Sequence, residues 1–451
     1  MVFCGIAKKK MRINFIFRDS LLFLPVQKTI RIFISLSFMN RYLEKHRLTD
    51  ALFKRPDWVP DLVVCIPLLN EPNWLQTLHS LHGASANTTS KILVLLLFNH
   101  SEDADSSVIE ANTRDFSHFA QAAANLTSPT FSIQAHLLAL PKKHAGVGLA
   151  RKILMDEGVR LFTLTGNERG ILVAMDGDST VASNYFQAIA RFFEAHPKLE
   201  AASIYFEHPL PESKIPRLAI IQYELHLRYF VEAQKMTGLP TAFQTIGSSM
   251  AVRQTAYQKE GGMNRRKAGE DFYFLQKFAR KGTLGNLLDT TVFPSPRISD
   301  RVPFGTGRAM DNLLKTNNLL LTHPIIIFDQ IKEFFDGLPH LWNQTPTQAA
   351  TFLKTLAPAV QDFLSSNNIH ERIQDTQKHT ASQAAFIKRF FNWFDGFVMM
   401  KYVHFARDVY YPDEPVLSVA YDFAVRETSY SGSPDRPEAL LDAYRKMAQT
   451  G

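Results

Sequence analysis

An α/β fold, with a mostly parallel central sheet flanked by helices and a C-terminal helical region, is predicted by three features of the sequence. Between residues 61 and 206, short apolar runs alternate with stretches of helical spacing. The runs are apolar at nearly every position rather than at every second one. Beyond about residue 310 the pattern turns to amphipathic helix. A strand that is apolar on both faces needs cover on both, and helical crossovers between parallel strands supply it.

The strands read, in order, as LVVCIPLL (62–69), KILVLLLF (91–98), FSIQAHLLAL (131–140), GILVAMD (170–176) and EAASIYF (200–206). Residues 74–82, 106–124, 147–158 and 184–195 are long enough and suitably patterned for the helices between them. In such sheets ligands bind beyond the carboxyl ends of the strands, so the informative residues should follow the runs directly. Farther on, IIIFDQIKEFF (325–335) and AAFIKRFFNWFDGFVMMKYVHF (384–405) read as aromatic-rich helix. Lys388, Arg389, Asp395 and Lys401 interrupt the second stretch, which fits a packed helical subdomain better than a membrane span. The expected division is a leader over 1–38, an α/β domain over 39–308 and a helical subdomain over 309–451.

With 45% apolar and 12% aromatic residues the chain has ample material for a large core. Its two cysteines, Cys4 and Cys65, provide neither a disulfide framework nor a cysteine metal site, which suits a reducing, cytoplasmic compartment. The formal charge of +7 suggests nucleic acid until it is located. Residues 1–38 carry seven basic groups against one acid, leaving about +1 for the body, so nucleic-acid binding is not expected. That leader lacks an uninterrupted apolar span and a clear cleavage site. It reads as an extension upstream of a natural start at Met39; failing that, a basic apolar segment suits peripheral contact with the inner face of an anionic membrane.

Four clusters are candidates to carry chemistry. Met175-Asp176-Gly177-Asp178 follows the fourth strand, where two carboxylates one residue apart reach one hard cation, Mn²⁺ or Mg²⁺, against a leaving diphosphate. A polar turn is the competing reading. Gly269-Glu270-Asp271 opens an amphipathic helix whose buried face would hold Phe272, Leu275 and Phe278. Capping explains one of the two acids there, whereas a carboxylate held at a helix start also suits a general base. The basic loop from Lys142 into Gly146, Gly148, Arg151 and Lys152 suits an anion at a helix start, with a solvated turn as the equal alternative. Arg297, Arg301 and Arg308 surround Gly305-Thr306-Gly307, a flexible turn able to fold over phosphates or simply a surface loop.

Taken in order, these pieces resemble the family 2 glycosyltransferases, which have the GT-A fold. Pro67-Leu68-Leu69-Asn70-Glu71 is similar to that family's opening Pro-x-x-Asn-Glu, which implies contact with the donor nucleotide through Pro67, Asn70 and Glu71. Asp176-Gly-Asp178 matches its metal-binding Asp-x-Asp. Gly247-Ser248-Ser249, then Gly261-Gly262 and Glu270-Asp271, match its acceptor-side segment, in which the resemblance makes Asp271 the base and Glu270 its support. Gly146 to Arg151 looks like the stretch that helps hold the donor, implicating Gly148 and Arg151. Where many members carry an acidic pair after the second strand, this chain reads Phe98-Asn99-His100-Ser101-Glu102-Asp103, which leaves the base-recognising carboxylate unassigned.

The resemblance covers roughly residues 61–307 and implies an inverting, metal-dependent transfer from a UDP- or GDP-sugar to a glycan, lipid-linked or small-molecule acceptor. Asp176 and Asp178 would hold the metal and Arg301 would fold over the diphosphate. Three alternatives stay open: a retaining glycosyltransferase or nucleotidyltransferase on the same fold, a haloacid dehalogenase-type phosphatase in which Asp176 is the nucleophile, and a non-catalytic carbohydrate-binding scaffold.

Overall fold

The computed structural model describes residues 41–298, 305–315 and 319–450. The leader over 1–38, the start at Met39 and Arg301 lie outside them. Eight strands form one sheet: β1 (Leu62–Leu68), β2 (Ile92–Ser101), β3 (Phe131–Leu140), β4 (Ile171–Ala174), β5 (Thr180–Val181), β6 (Ala201–Phe206), β7 (Met250–Arg253) and β8 (Leu284–Phe293), in the order β3-β2-β1-β4-β7-β6-β8-β5. The pairings β1 with β2, β1 with β4, β2 with β3 and β6 with β8 are parallel. Those of β4 with β7, β6 with β7 and β5 with β8 are antiparallel.

The five runs read as strands form β1 to β4 and β6, and the parallel half of the sheet follows from them. Its antiparallel half does not, because β7 is a four-residue segment inside a glycine- and serine-rich motif and β5 has only two residues. Neither is long enough to show a period.

Alternate side chains of the central strands enter opposite cores. Leu62, Val64, Ile66 and Leu68 of β1, with Ile92, Val94, Leu96 and Phe98 of β2, face one layer. Val63 and Cys65, with Leu93, Leu95 and Leu97, face the other. Helices α1 (Trp74–Ser85), α2 (Ser106–Ala123) and α4 (Tyr185–Ala195) cover the first layer through residues such as Trp74, Leu78, Ala123 and Phe186. Helix α3 (Val147–Thr165) covers the second, where it buries Leu149, Ile153, Leu154 and Phe162.

Helix α3 also buries charge, and each charge has a partner. Asp156 accepts from Tyr42 Oη at 2.8 Å, Tyr257 Oη at 2.7 Å and Lys152 Nζ at 2.9 Å. Glu157 accepts the backbone N–H groups of Leu52 and Phe53 at 3.0 and 3.2 Å. Residues 42–53 are thereby docked on the back of α3, since a buried carboxylate is tolerated only when its lone pairs are used.

Helix α5 (Lys214–Met236) joins the sheet to the helical region; Ile221, Leu225, Tyr229 and Ala233 lie in the core that the later helices share. After α6 (Gln254–Lys259) and α7 (Glu270–Lys281), α8 (Thr306–Lys315) crosses the expected boundary at 308 and packs Met310 and Leu313 against Ala219 and Ile220 of α5. Helices α9 (Ile325–Gly337), α10 (Pro346–Leu353), α11 (Pro358–Ser366), α12 (Ile369–Lys378), α13 (Gln383–Trp393), α14 (Gly396–Val409), α15 (Val416–Glu427) and α16 (Pro437–Thr450) complete the chain.

The apolar stretch 384–405 divides into α13 and α14. Asp395 stops the first and starts the second, its Oδ1 accepting from the backbone N–H of Phe397 at 3.0 Å and of Val398 at 3.1 Å. Among the described residues no helix is long and apolar enough to cross a membrane. The last helix is pinned to the sheet domain by a buried carboxylate. Glu224 of α5 accepts from Arg445 of α16 at 2.8 Å, from Arg228 at 2.9 Å and from the backbone and ring of His208.

Candidate active site

The predicted residues at the carboxyl ends of β1 and β4 come together with the head of α7, and Arg151 is what joins them. The residue is 1% exposed, and its guanidinium donates through Nη2 to Asp176 Oδ1 at 2.6 Å and through Nη1 to Glu270 Oε1. Burial by itself would depress an arginine, but Glu270, Asp176 and Asp271 overrule it and keep the group charged. Arg151 reaches this point because α3 places it on the first turns, directly beneath the glycine-containing loop.

Close backbone approach makes the bridge fit. Gly148, one turn before Arg151, lies against the Arg266 carbonyl and the Glu270 Cβ, so a side chain there would push α3 off the head of α7. Gly247 is equally confined: a Cβ on it would lie 2.9 and 3.0 Å from the two terminal nitrogens of Arg151 and 3.0 Å from Asp271 Oδ2. Before α7 the chain turns through Gly269 at φ +72°, a left-handed conformation that glycine adopts without cost, and this aims both Glu270 and Asp271 from one helix start.

Burial, and then the charge of Glu270, push the Asp271 carboxyl up to about 7 against the pull of Arg151. Glu270 is also raised by burial, opposed chiefly by Arg151. Because Glu270 is the acid in contact with the guanidinium, the proton the pair holds belongs on Asp271.

On the other side of the cleft, Asp178 faces Arg297, whose Nε lies 3.3 Å from Asp178 Oδ2 and whose Nη2 donates to Glu71 Oε2. Glu71 is 5% exposed, and its Oε1 accepts the Asn73 backbone N–H at 3.0 Å. Asn70 is left-handed at φ +45°, with its N–H held by Asn112 Oδ1 at 2.8 Å while Asn112 Nδ2 donates to the Asn99 carbonyl at 2.8 Å. Thr77 of α1 donates to the Gly177 carbonyl at 2.8 Å, fixing the turn between the two aspartates. Gly177 packs on Leu68 and Glu71, with no room for a side chain.

The structure therefore gathers Glu71, Arg151, Asp176, Asp178, Glu270, Asp271 and Arg297, with Asn70 and Gly148 shaping their loops. Pro67 lies within β1, paired with Leu97 of β2, and its carbonyl faces the turn at Gly177. Asp103 makes its contacts elsewhere, with Lys142 at 2.8 Å and with Ser101. Arg308 pairs with Asp311 of its own helix at 3.3 Å. Three positions carried no signal of their own: Thr77 and Asn112 are ordinary polar residues on helices, and Gly247 stands out only within the Gly-Ser-Ser motif.

The donor set suits a hard divalent cation, since Asp176 and Asp178 offer carboxylate oxygens on a partly exposed face, with side chains 43% and 21% accessible. Among the described residues no group of three or more His, Cys, Asp and Glu is assembled to hold a metal unaided. A cation here would draw further oxygens from its ligand, as Mg²⁺ and Mn²⁺ do with phosphates.

No family model matches the chain, and no curated protein matches it in sequence. Among solved structures it is similar to residues 1–349 of TarS from S. aureus in complex with UDP-GlcNAc, at 13% identity over 74% of this chain and 90% of that one, with a TM-score of 0.36. It is also similar to the mannosyltransferase PcManGT from Pyrobaculum calidifontis in complex with GDP-Man and Mn²⁺, at 15% identity over 81% and 94% of the two chains, with a TM-score of 0.35. At these values the function has to be argued from the site's own residues.

Proposed function

We propose that the protein is a metal-dependent glycosyltransferase that moves a sugar from a nucleoside-diphosphate sugar, UDP- or GDP-linked, to an acceptor hydroxyl with inversion. The observation that carries this reading is the Arg151 bridge. One buried guanidinium holds both Asp176 of the metal-binding pair and Glu270 of the acid pair on α7, so leaving-group stabilisation and proton acceptance share one pocket.

Asp271 is suited to the proton. A base works best with a pKa near the operating pH, and burial beside Glu270 brings this carboxyl to about 7. Glu270, tied to Arg151, orients that end of the site, and its charge makes the neighbouring carboxylate the stronger proton acceptor. Arg297 links Asp178 to Glu71, so the turn after β1 and the one after β4 respond together to what binds between them. Pro67, Asn70 and Glu71 line the nucleotide side, with Gly148 letting α3 approach and Arg301 contributing to the diphosphate. A Mn²⁺ or Mg²⁺ ion held by Asp176 and Asp178 would supply neutralisation of the leaving diphosphate. Residues 39–308 carry this chemistry in our reading, and 309–451 contribute to the choice of acceptor.

The test is thermal stability of the full chain with UDP, GDP, TDP or CDP, with and without Mn²⁺, because a ligand that binds only the folded state raises its stability. A shift with one nucleotide that needs metal and disappears in Asp178→Ala is expected. The absence of any shift, or a metal-dependent shift that persists in Asp178→Ala, would overturn the reading.

A further inference from the structure

Both aspartates of the proposed cation pair carry an arginine, and the two arginines are held with different firmness. The side chain of Arg151, on Asp176, is 2% accessible and is bound at its other end by Glu270, itself 3% accessible. Arg151 is part of the packed interior and stays where it is. The side chain of Arg297, on Asp178, is 25% accessible, and that of its partner is 21% accessible.

The two contacts of Arg297 are unequal. Its Nη2 donates to Glu71 Oε2, on a side chain 5% accessible, whereas its Nε stands 3.3 Å from Asp178 Oδ2, longer than a charged hydrogen bond normally is. A buried carboxylate gives up its cation at a greater cost than one that water can screen. Glu71 is therefore the anchor of the guanidinium, and Asp178 is the end that can let go.

The frame around this contact is stiff, which leaves the side chain as the part that moves. Pro294 and Pro296 restrict the backbone just before Arg297, and its N–H meets Ser295 Oγ at 3.4 Å. Glu71 is set as well: Oε1 accepts the Asn73 N–H at 3.0 Å, and a Cβ on Gly177 would lie 3.2 Å from its Cγ, so the turn after β1 packs on the turn after β4. A divalent cation on Asp178 and a guanidinium on the same carboxylate repel each other. The oxygens of a diphosphate resolve that conflict, since they accept from a guanidinium and also ligate a hard cation.

We infer that Arg297 is a positioning residue that competes with the divalent cation for Asp178, holding the carboxylate until a nucleoside diphosphate gives the guanidinium other oxygens to bind. Arg297 then turns about its Glu71 contact and leaves Asp178 to the cation. Cation and nucleotide are thereby made to bind together, and the cation by itself is disfavoured. The inference rests on the glycosyltransferase reading and adds the order in which that site loads.

Binding of Mn²⁺ to the full chain, followed by electron paramagnetic resonance of the free ion without nucleotide, with UDP and with GDP, tests it. The wild type is compared with Arg297→Gln, Arg297→Lys and Asp178→Ala, with far-ultraviolet dichroism to confirm folding. We expect the wild type to bind Mn²⁺ about tenfold more tightly with the matching nucleotide than without it, and the nucleotide to gain the same factor from Mn²⁺. Arg297→Gln should bind Mn²⁺ by itself about tenfold more tightly than the wild type, with a smaller gain from nucleotide. Arg297→Lys keeps the charge and should bind Mn²⁺ by itself as the wild type does. Unchanged or weaker binding of Mn²⁺ by itself in Arg297→Gln, or equal tightening in Arg297→Lys, would overturn the inference. Asp178→Ala separates the two levels: Mn²⁺ binding that it abolishes but Arg297→Gln leaves unmoved defeats the competition alone, and Mn²⁺ binding that it leaves intact defeats the reading beneath it.

Discussion

Asp271→Asn should make the protein more stable at high pH while abolishing transfer. In the folded chain the carboxyl is lifted to about 7, from an ordinary value of 3.8. The folded state therefore binds more protons than the unfolded state between those values, and stability falls as pH rises through that window. Above pH 7 the full penalty applies. At 1.36 kcal/mol per unit, the difference amounts to about 4 kcal/mol, of which about 3 kcal/mol accumulates between pH 5 and pH 8. Asparagine carries no such charge and keeps the shape, so the variant escapes the penalty.

The measurement is urea denaturation of both proteins at pH 5 and pH 8. The stability of the variant relative to wild type should grow by about 3 kcal/mol over that interval, with donor-induced stabilisation retained and sugar transfer lost. A difference that stays constant with pH would show that Asp271 is not held protonated by its surroundings. A variant that still transfers sugar would remove it as the base.

Arg151→Met removes the cation between Asp176 and Glu270 and leaves a buried carboxylate uncompensated; a loss of about 3–5 kcal/mol in denaturant unfolding is expected at pH 8, and less at pH 5 where the acid pair can take up a proton. Gly247→Ala puts a methyl group 2.9 and 3.0 Å from the guanidinium nitrogens. It should lower kcat by displacing Arg151 and Asp271 while leaving the helical core folded, as measured by transfer rate beside tryptophan fluorescence. Glu224→Gln strips the charge shared by Arg228, His208 and Arg445, and should cost about 3–5 kcal/mol at neutral pH. Burial works to raise Glu224, but His208, Arg228 and Arg445 hold it well below the usual carboxylate range, so the wild type should lose this contribution as pH falls below about 4.5 and the variant should not.

Much of the parallel half of the sheet was legible because long apolar runs state their own burial: β1 and β2 are apolar at consecutive positions, and each face has its own core. The clusters after β1 and β4 and at the head of α7 stood out as well, since acids and glycines there break off an apolar run or open an amphipathic one. Asp395 shows the limit of the method. It was visible as a charge in an apolar stretch, yet its capping of α14 depends on which backbone N–H groups it meets.

The sequence by itself determined the strand and helix material, the near-neutral body beneath a basic leader, and the residues able to carry chemistry, because period, charge and residue type are local properties. Only the tertiary structure decided how they combine. That Arg151 reaches both Asp176 and Glu270 follows from the crossing of α3 beneath α7, allowed by Gly148 and Gly247, and no spacing along the chain encodes it. The raised pKa of Asp271 has the same origin in its larger part: the charge of Glu270 is next to it in sequence, but the desolvation that dominates exists only once the chain has packed around the head of α7.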